Sequence, residues 1–385
     1  MAKPSKRFES LDVLRGLTVM LMLIVNNPGK GGAEYNFGQL RHAGWDGFTL
    51  TDFVFPSFLF CVGAAIWFAY RRTDHRLTAA AFRKITVRAI NIFLVGIGLS
   101  LLTTLIWKLY RGQDIGWDIL HNLRLTGVFP RIALCFWVGS ILCLTLKTYK
   151  KCSLAAVLML ALYWTIVLVF GGTGRADYVG NVIDRAVFGE FHIYGGEGGF
   201  DPEGLLSCIP ATVNVIMGFI AAKLLGTPQK ENSLHPLTWL FGIGALVAIA
   251  GIALSPVIPL NKKIWTPSYA LLTSGLSMLC WATFAALMDF NRPNGNKPLL
   301  NCWRMPLAQS FGCNALALYC SGVLLALLWN LPMFAGSSFH TIWFDCLDSF
   351  LPTKVASFCY PLTALDAVLA IPALILHKKR IYIKL

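Results

Sequence analysis

The chain has 385 residues, of which 56% are hydrophobic and only 14% charged, and its formal net charge is +14. That composition excludes a soluble globular domain, because too few polar groups remain to cover a water-facing surface. The basic residues fall in short segments between apolar runs and not on one polar face, which excludes a nucleic-acid binder and makes the excess charge a topology signal.

In chain order, Met1 to Arg7 is polar and basic. The apolar stretch that follows holds Asp12 and Arg15 and lacks a small-x-small cleavage site, so it reads as a retained first helix and not a cleaved signal peptide. Apolar runs long enough to cross a bilayer lie near residues 11-27, 50-70, 85-107, 126-146, 153-170, 205-226, 236-255, 266-289, 306-330 and 353-376. Each must satisfy its backbone hydrogen bonds within itself, and no alternating pattern supports a barrel. The expectation is an all-α, polytopic integral membrane protein of about ten transmembrane helices, forming a single domain over 1-385. The eleven cysteines lie mostly inside the apolar runs and form no C-x-x-C pair, so they read as small core residues.

Placing the N-terminus inside puts about two thirds of the Lys and Arg residues on inner segments, with both termini cytoplasmic. Arg71, Arg72 and Arg76 form one such inner cluster, and Lys147, Lys150 and Lys151 another. The outer segments 28-49, 108-125, 171-204 and 331-352 are the long ones, and they carry His42, His121, His192 and His340. Chemistry is therefore expected at the outer face or in a cavity opening to it.

The most informative stretch runs from Arg41 through His42, Trp45 and Asp46 to Asp52. A histidine can exchange a proton near neutral pH, and one carboxylate could fix its tautomer while the other ring nitrogen accepts a proton or attacks an acyl carbon. The competing reading is an interfacial loop anchored by Trp45 with a solvated histidine. Asp12 and Arg15 share a helix face and could either neutralise each other or meet a phosphate. Arg131, near the outer end of the fourth run, needs a polar cavity or a partner. Asp201, Pro202 and Glu203 also make a sound helix start, and Asn314 inside a span is by default an interhelical hydrogen-bond former. There is no Walker loop, dinucleotide fingerprint, H-E-x-x-H, nucleophile elbow or acidic metal triplet in the sequence.

The run Arg7 to Gly16, continuing to Asn26, His42 and Asp52, resembles the heparan-α-glucosaminide N-acetyltransferase family and its bacterial relatives. So do Gly127 to Ile132, Asp201 to Leu206, Trp265 to Tyr269 and Gly312 to Ala315. The resemblance covers nearly the whole chain, and its Asp-x-Leu-Arg-Gly opening is shared with a broader transmembrane acyltransferase group. It implies acetyl-CoA arriving from the cytoplasm, no metal, and transfer of acetyl to a glucosamine amine across the membrane with His42 as the catalytic residue. Asp46 or Asp52 would orient His42, while Asn26 and Arg131 would hold and polarise the acyl group. Arg15, Asn314, Arg71 and Arg72 are further candidates for binding acetyl-CoA, and Asp201, Glu203, Trp265, Tyr269 and Trp45 for binding the acceptor.

Expected partners are acetyl-CoA, an amino-sugar or glycosaminoglycan-fragment acceptor and membrane lipid, without nucleic acid; a homodimer is an assembly left open. Pro130 stands where many relatives have Gln and Asp46 where the animal enzyme has Asn, which bears on local polar contacts. The shorter N-terminal region fits a bacterial inner-membrane protein. A transporter of sugars or amino sugars is the competing class, since substrate passage would also explain polar residues at mid-membrane, and a non-catalytic scaffold is a third.

Overall fold

A computed structural model describes residues 8–227, 235–290, 305–334 and 336–383. The topology charges Lys3, Lys6, Arg7, Lys230, Arg292, Lys297, Arg304 and Lys384 lie outside the described residues. The helices in order are α1 (Glu9–Asn26), α2 (Leu50–Ala69), α3 (Ala79–Tyr110), α4 (Asp118–His121), α5 (Val128–Leu146), α6 (Tyr149–Phe170), α7 (Val179–Phe188), α8 (Cys208–Gly226), α9 (His235–Leu254), α10 (Pro267–Met288), α11 (Pro306–Cys313), α12 (Ala315–Asn330), α13 (Phe339–Asp348), α14 (Thr353–Pro361) and α15 (Ala367–Lys378). The described residues form no strand, and their only bridge is the isolated pair Phe334 and Ser337.

The all-α membrane architecture read from the sequence is what the chain adopts. Among the described residues, eight helical segments are long and apolar enough to span a bilayer: α2, α3, α5, α6, α8, α9, α10 and the stretch Thr353–Lys378 that joins α14 to α15. The first expected span is α1, whose 18 residues include Glu9, Asp12 and Arg15. The expected single span over 306-330 is instead two helices, α11 and α12, bent by 93°. At the bend Asn314, with φ −126° and ψ 38°, leaves helical geometry and ends α11.

The chain divides into two compact units, one built from Met1–Arg41, Leu224–Leu246 and Gly275–Lys384 and the other from His42–Lys223 and Val247–Ser274. In the first, α1 and α11 cross backbone to backbone. A Cβ on Gly16 would stand 1.7 Å from the Ala308 carbonyl oxygen, and one on Gly312 would stand 1.7 Å from that of Asp12. Phe344, Leu347, Ala356 and Tyr360 close an apolar cluster between α13 and α14.

In the second unit α8 is the buried axis, with 83% of its apolar window inside the protein against 17% for α3. Helix α2 lies against it through another reciprocal glycine crossing: a Cβ on Gly63 would meet the Val215 carbonyl oxygen at 1.8 Å, and one on Gly218 that of Phe60 at 1.9 Å. A polar clasp ties α8 to α10, where Asn214 Nδ2 donates to Thr273 Oγ1 at 3.0 Å and to Ser274 Oγ at 2.9 Å. Buried amides persist in a membrane protein only when paired in this way. This core sets the height at which the first turns of α2, α5 and α8 present their polar residues.

Candidate active site

Two loops of the second unit build the site. Helix α2 starts at Thr49, whose hydroxyl accepts from the Asp52 amide while the Asp52 carboxylate returns to the Thr49 amide, a capping box. That carboxylate has more partners than a cap requires. Oδ2 accepts from the amides of Ala43 at 3.1 Å and Thr49 at 3.2 Å, while Oδ1 lies 2.7 Å from His42 Nδ1. A carboxylate only accepts, so Nδ1 carries the hydrogen and Nε2 of the neutral ring is left with a lone pair. Asp52 is 1% exposed and His42 43%, so a fixed anion holds a ring that solvent or substrate can reach. The Tyr269 hydroxyl of α10 donates to the Asp52 main-chain oxygen at 2.6 Å, which fixes the turn from below.

The second loop runs from Ser255 to Thr266. Buried Asn261 donates to Asp46 Oδ1 at 3.1 Å, and the Gly47 amide donates to the Leu260 carbonyl at 2.7 Å, so the two loops are stitched together. This brings Lys262 Nζ to 3.0 Å from Nδ1 and 3.2 Å from Nε2 of His42. Nearly equal distances put the ammonium beside the ring and not on one lone pair. Burial pushes the Lys262 pKa down to about 8, with Asp52 opposing that fall.

Trp265, fully buried, sits at φ 56°, a left-handed conformation that is costly for a bulky residue and persists where surroundings over-determine it. Its indole donates to Asn214 Oδ1 at 3.0 Å, meets Phe55 and Tyr269 edge-on, and has the Arg131 guanidinium over its ring at 5.0 Å. Arg131 in turn donates to Ser207 Oγ and, at 3.2 Å, to the Gly204 carbonyl, but its buried Nε has no hydrogen-bond partner.

Beside it, Arg124 bridges Asp201 and Glu203, each at 2.7 Å. Burial works against the Arg124 charge, yet the carboxylates of Glu203 and Asp201 prevail and raise its pKa above the ordinary value. Asp201 is also engaged by Thr126 and by the amides of Tyr194 and Glu203, which makes it the hub that shapes this corner.

Of the residues singled out from sequence, His42, Asp52, Arg131, Asp201, Glu203, Trp265 and Tyr269 gather at this end of the second unit. Asp52 is the carboxylate bonded to His42, while Asp46 is held by Asn261. Trp45 packs edge-on against Phe200 and donates to the Thr173 carbonyl at 3.1 Å, bracing the loop. Arg71 and Arg72 lie beyond the opposite end of α2, about 28 Å from Asp52 at 1.5 Å per residue. Arg15, Asn26 and Asn314 belong to the first unit. Arg15 pairs with Asp12 at 2.8 Å, Asn26 faces the Tyr319 hydroxyl at 3.5 Å, and Asn314 bonds the Ile381 carbonyl and the Ile383 amide. Lys262, Asn261 and Arg124 were not singled out. The one signal the sequence offers for Lys262 is its place three residues before Trp265.

A profile described as "Heparan-alpha-glucosaminide N-acetyltransferase, catalytic" matches residues 7–180, the span that holds His42, Asp52, Arg124 and Arg131. Over these residues the chain is similar to the heparan-alpha-glucosaminide N-acetyltransferase family. The human protein named heparan-alpha-glucosaminide N-acetyltransferase is 25% identical over 340 residues, covering 74% of this chain and 49% of its own length. Its mouse counterpart is 24% identical with the same coverage. The chain thus spans about half the length of the curated N-acetyltransferases it matches. The similarity is to proteins named as N-acetyltransferases, and the geometry brings His42, Asp52 and Lys262 together.

Proposed function

We propose that the protein is a transmembrane acetyltransferase. It takes acetyl from acetyl-CoA supplied on the cytoplasmic side and N-acetylates a terminal glucosamine or related amino sugar at the outer side. Both termini then face the cytoplasm, and the membrane is the bacterial inner membrane. The observation that carries this reading is the His42–Asp52 pair at 2.7 Å with Lys262 beside the ring.

The acceptor nitrogen attacks the thioester carbonyl carbon, a C–N bond forms, and the C–S bond breaks. The nitrogen gives up a proton to His42 Nε2, Asp52 stabilises the imidazolium through Nδ1, and the proton then passes to the departing sulfur. Charge building on the carbonyl oxygen has two cations nearby, Lys262 and Arg131, in surroundings where such charges act strongly. Should His42 itself take the acetyl group first, the amine attacks an acyl-imidazole and the same residue is still required.

The test is transfer of labelled acetyl from acetyl-CoA to a panel of glucosamine-containing acceptors, using purified protein in nanodiscs. His42→Ala should fold and bind acetyl-CoA yet lose at least about 100-fold in turnover. Near-normal turnover in that variant removes the loop as the active site. Absence of any acetylated product with the wild type, together with sugar movement across the membrane, establishes a transporter instead.

A further inference from the structure

Helices α3 and α5 touch at two levels and part between them. At the outer level a Cβ on Gly96 would lie 2.6 Å from Phe129 Cβ, so the backbones are as close as glycine permits. At the inner level the Trp137 indole donates to Thr86 Oγ1 at 3.0 Å. Between these levels Ala89 and Ala133 are too small to fill the gap, and a cavity of about 350 Å³ opens, walled further by Ile90, Phe93 and Leu134. From Pro130 to Trp137 it runs about 10 Å along the helices.

The cavity opens sideways. Ile90, one of its walls, is 50% exposed, and Val87 and Leu94 on the same stripe are 50% and 58% exposed. An apolar stripe in the middle of a spanning helix faces lipid, so hydrocarbon and not water fills a dry slot at this depth. Its outer end is polar. There Thr126, Glu203 and Arg131 line it, with the unpartnered Arg131 Nε among them. That end lies near the reacting groups: Glu203 and Arg131 both act electrostatically on Lys262, while Trp265 and Tyr269 stand between Arg131 and the Asp52 main chain.

The geometry points to a membrane-borne acceptor: an amine on a polar head whose hydrocarbon chain lies in the slot between α3 and α5. The head sits at Glu203 and Arg131, with its amine on the side toward Lys262 and His42. This rests on the acetyltransferase reading above. The Glu203 carboxylate, though bridged to Arg124, can also accept from an amine at the mouth, and the unpartnered Nε offers a donor to an ether or phosphodiester oxygen joining head to chain. The polyanionic nucleotide end of the donor matches neither the dry walls nor that carboxylate.

Two measurements test the assignment. In the first, wild-type protein in nanodiscs is irradiated with an alkyl glucosaminide bearing a diazirine at mid-chain, and adducts are mapped by mass spectrometry. Ile90, Phe93 and Leu134 should be labelled well above the lipid-facing Leu158 and Leu162 of α6; equal labelling overturns the site. In the second, kcat/KM is compared for octyl and methyl glucosaminide. Partition into the bilayer alone favours the octyl form, so the decisive quantity is the octyl-to-methyl ratio in Ala89→Phe and Ala133→Leu, which fill the slot. The ratio should be about tenfold or more in the wild type and fall at least about threefold in both variants.

A ratio unchanged by both substitutions overturns the proposal, and because it is taken within one preparation it does not depend on how much protein folds. If no acceptor of any chain length is acetylated, it is the acetyltransferase reading that fails, and labelling still decides whether the slot binds a chain.

Discussion

Lys262 is the residue whose placement changes the chemistry available to His42. Alone, the His42–Asp52 pair can move a proton; with an ammonium 3.0 to 3.2 Å from the ring, the same site can also meet negative charge. Burial holds the Lys262 pKa down to about 8, so most of its charge is present at neutral pH and is lost as pH rises through that value. The acceptor amine changes in the opposite sense, becoming nucleophilic as it loses its proton. In the proposed mechanism kcat therefore has a descending alkaline limb near pH 8. Lys262→Arg, which stays charged, should move that limb upward, and Lys262→Met should abolish it while lowering turnover at pH 7 by about tenfold to a hundredfold. Superimposable pH profiles for wild type and Lys262→Met would show that the ammonium plays no part. His42 and Asp52 are legible as neighbours in sequence because only ten residues separate the loop histidine from the first turn of α2. Lys262 is not, because its approach depends on Asn261 reaching Asp46 across 215 positions of chain.

At the scale of the element, what sequence could show was hydropathy, which is local, and what it could not show was close approach, which is not. The ten apolar runs all fold as helices, yet the run over 306-330 gives no sign of its 93° bend, because the apolar character continues unbroken through Asn314. The bend follows from partners far along the chain: Gly312 against the Asp12 backbone, and Asn314 held by Ile381 and Ile383. The same logic governs the crossing of α2 and α8. Gly63 has no room for a side chain, and α2 carries Asp52 in its first turn, so separating these helices displaces the carboxylate from His42. Gly63→Leu should cost about 3 kcal/mol or more and lower the thermal midpoint together with activity. Gly98→Leu on α3, where a Cβ meets nothing within 4 Å, is the control and should leave both unchanged. An unaltered midpoint in Gly63→Leu would mean that the crossing tolerates separation.

Across the whole molecule, the second unit has two chemically distinct ends. Helices α2, α5 and α8 all start at the end that holds Asp52, Arg131 and Ser207, and all finish at the end that holds Arg71, Lys147 and Lys223. At the finishing end the Lys223 ammonium donates to the Lys147 carbonyl and lies 4.6 Å from the Tyr149 ring centroid, while His75 stacks on Trp67 at 4.8 Å. In the proposed orientation the end with Arg71, Lys147 and Lys223 is the cytoplasmic one, the side on which Lys and Arg are favoured because translocating them during insertion is unfavourable. The proposal then has His42 outside, opposite the expected source of acetyl-CoA. It predicts that, in a background with the exposed Cys346 changed to Ser, a cysteine at Gly195 reacts with an impermeant thiol reagent added to intact cells. A cysteine at Lys150 should react only after the membrane is opened. Gly195 suits the purpose because a side chain there meets nothing within 4 Å, and Lys150 is exposed at the start of α6. The reversed pattern would place His42 on the same side as cytoplasmic acetyl-CoA, and the transfer would then need no passage across the membrane at all.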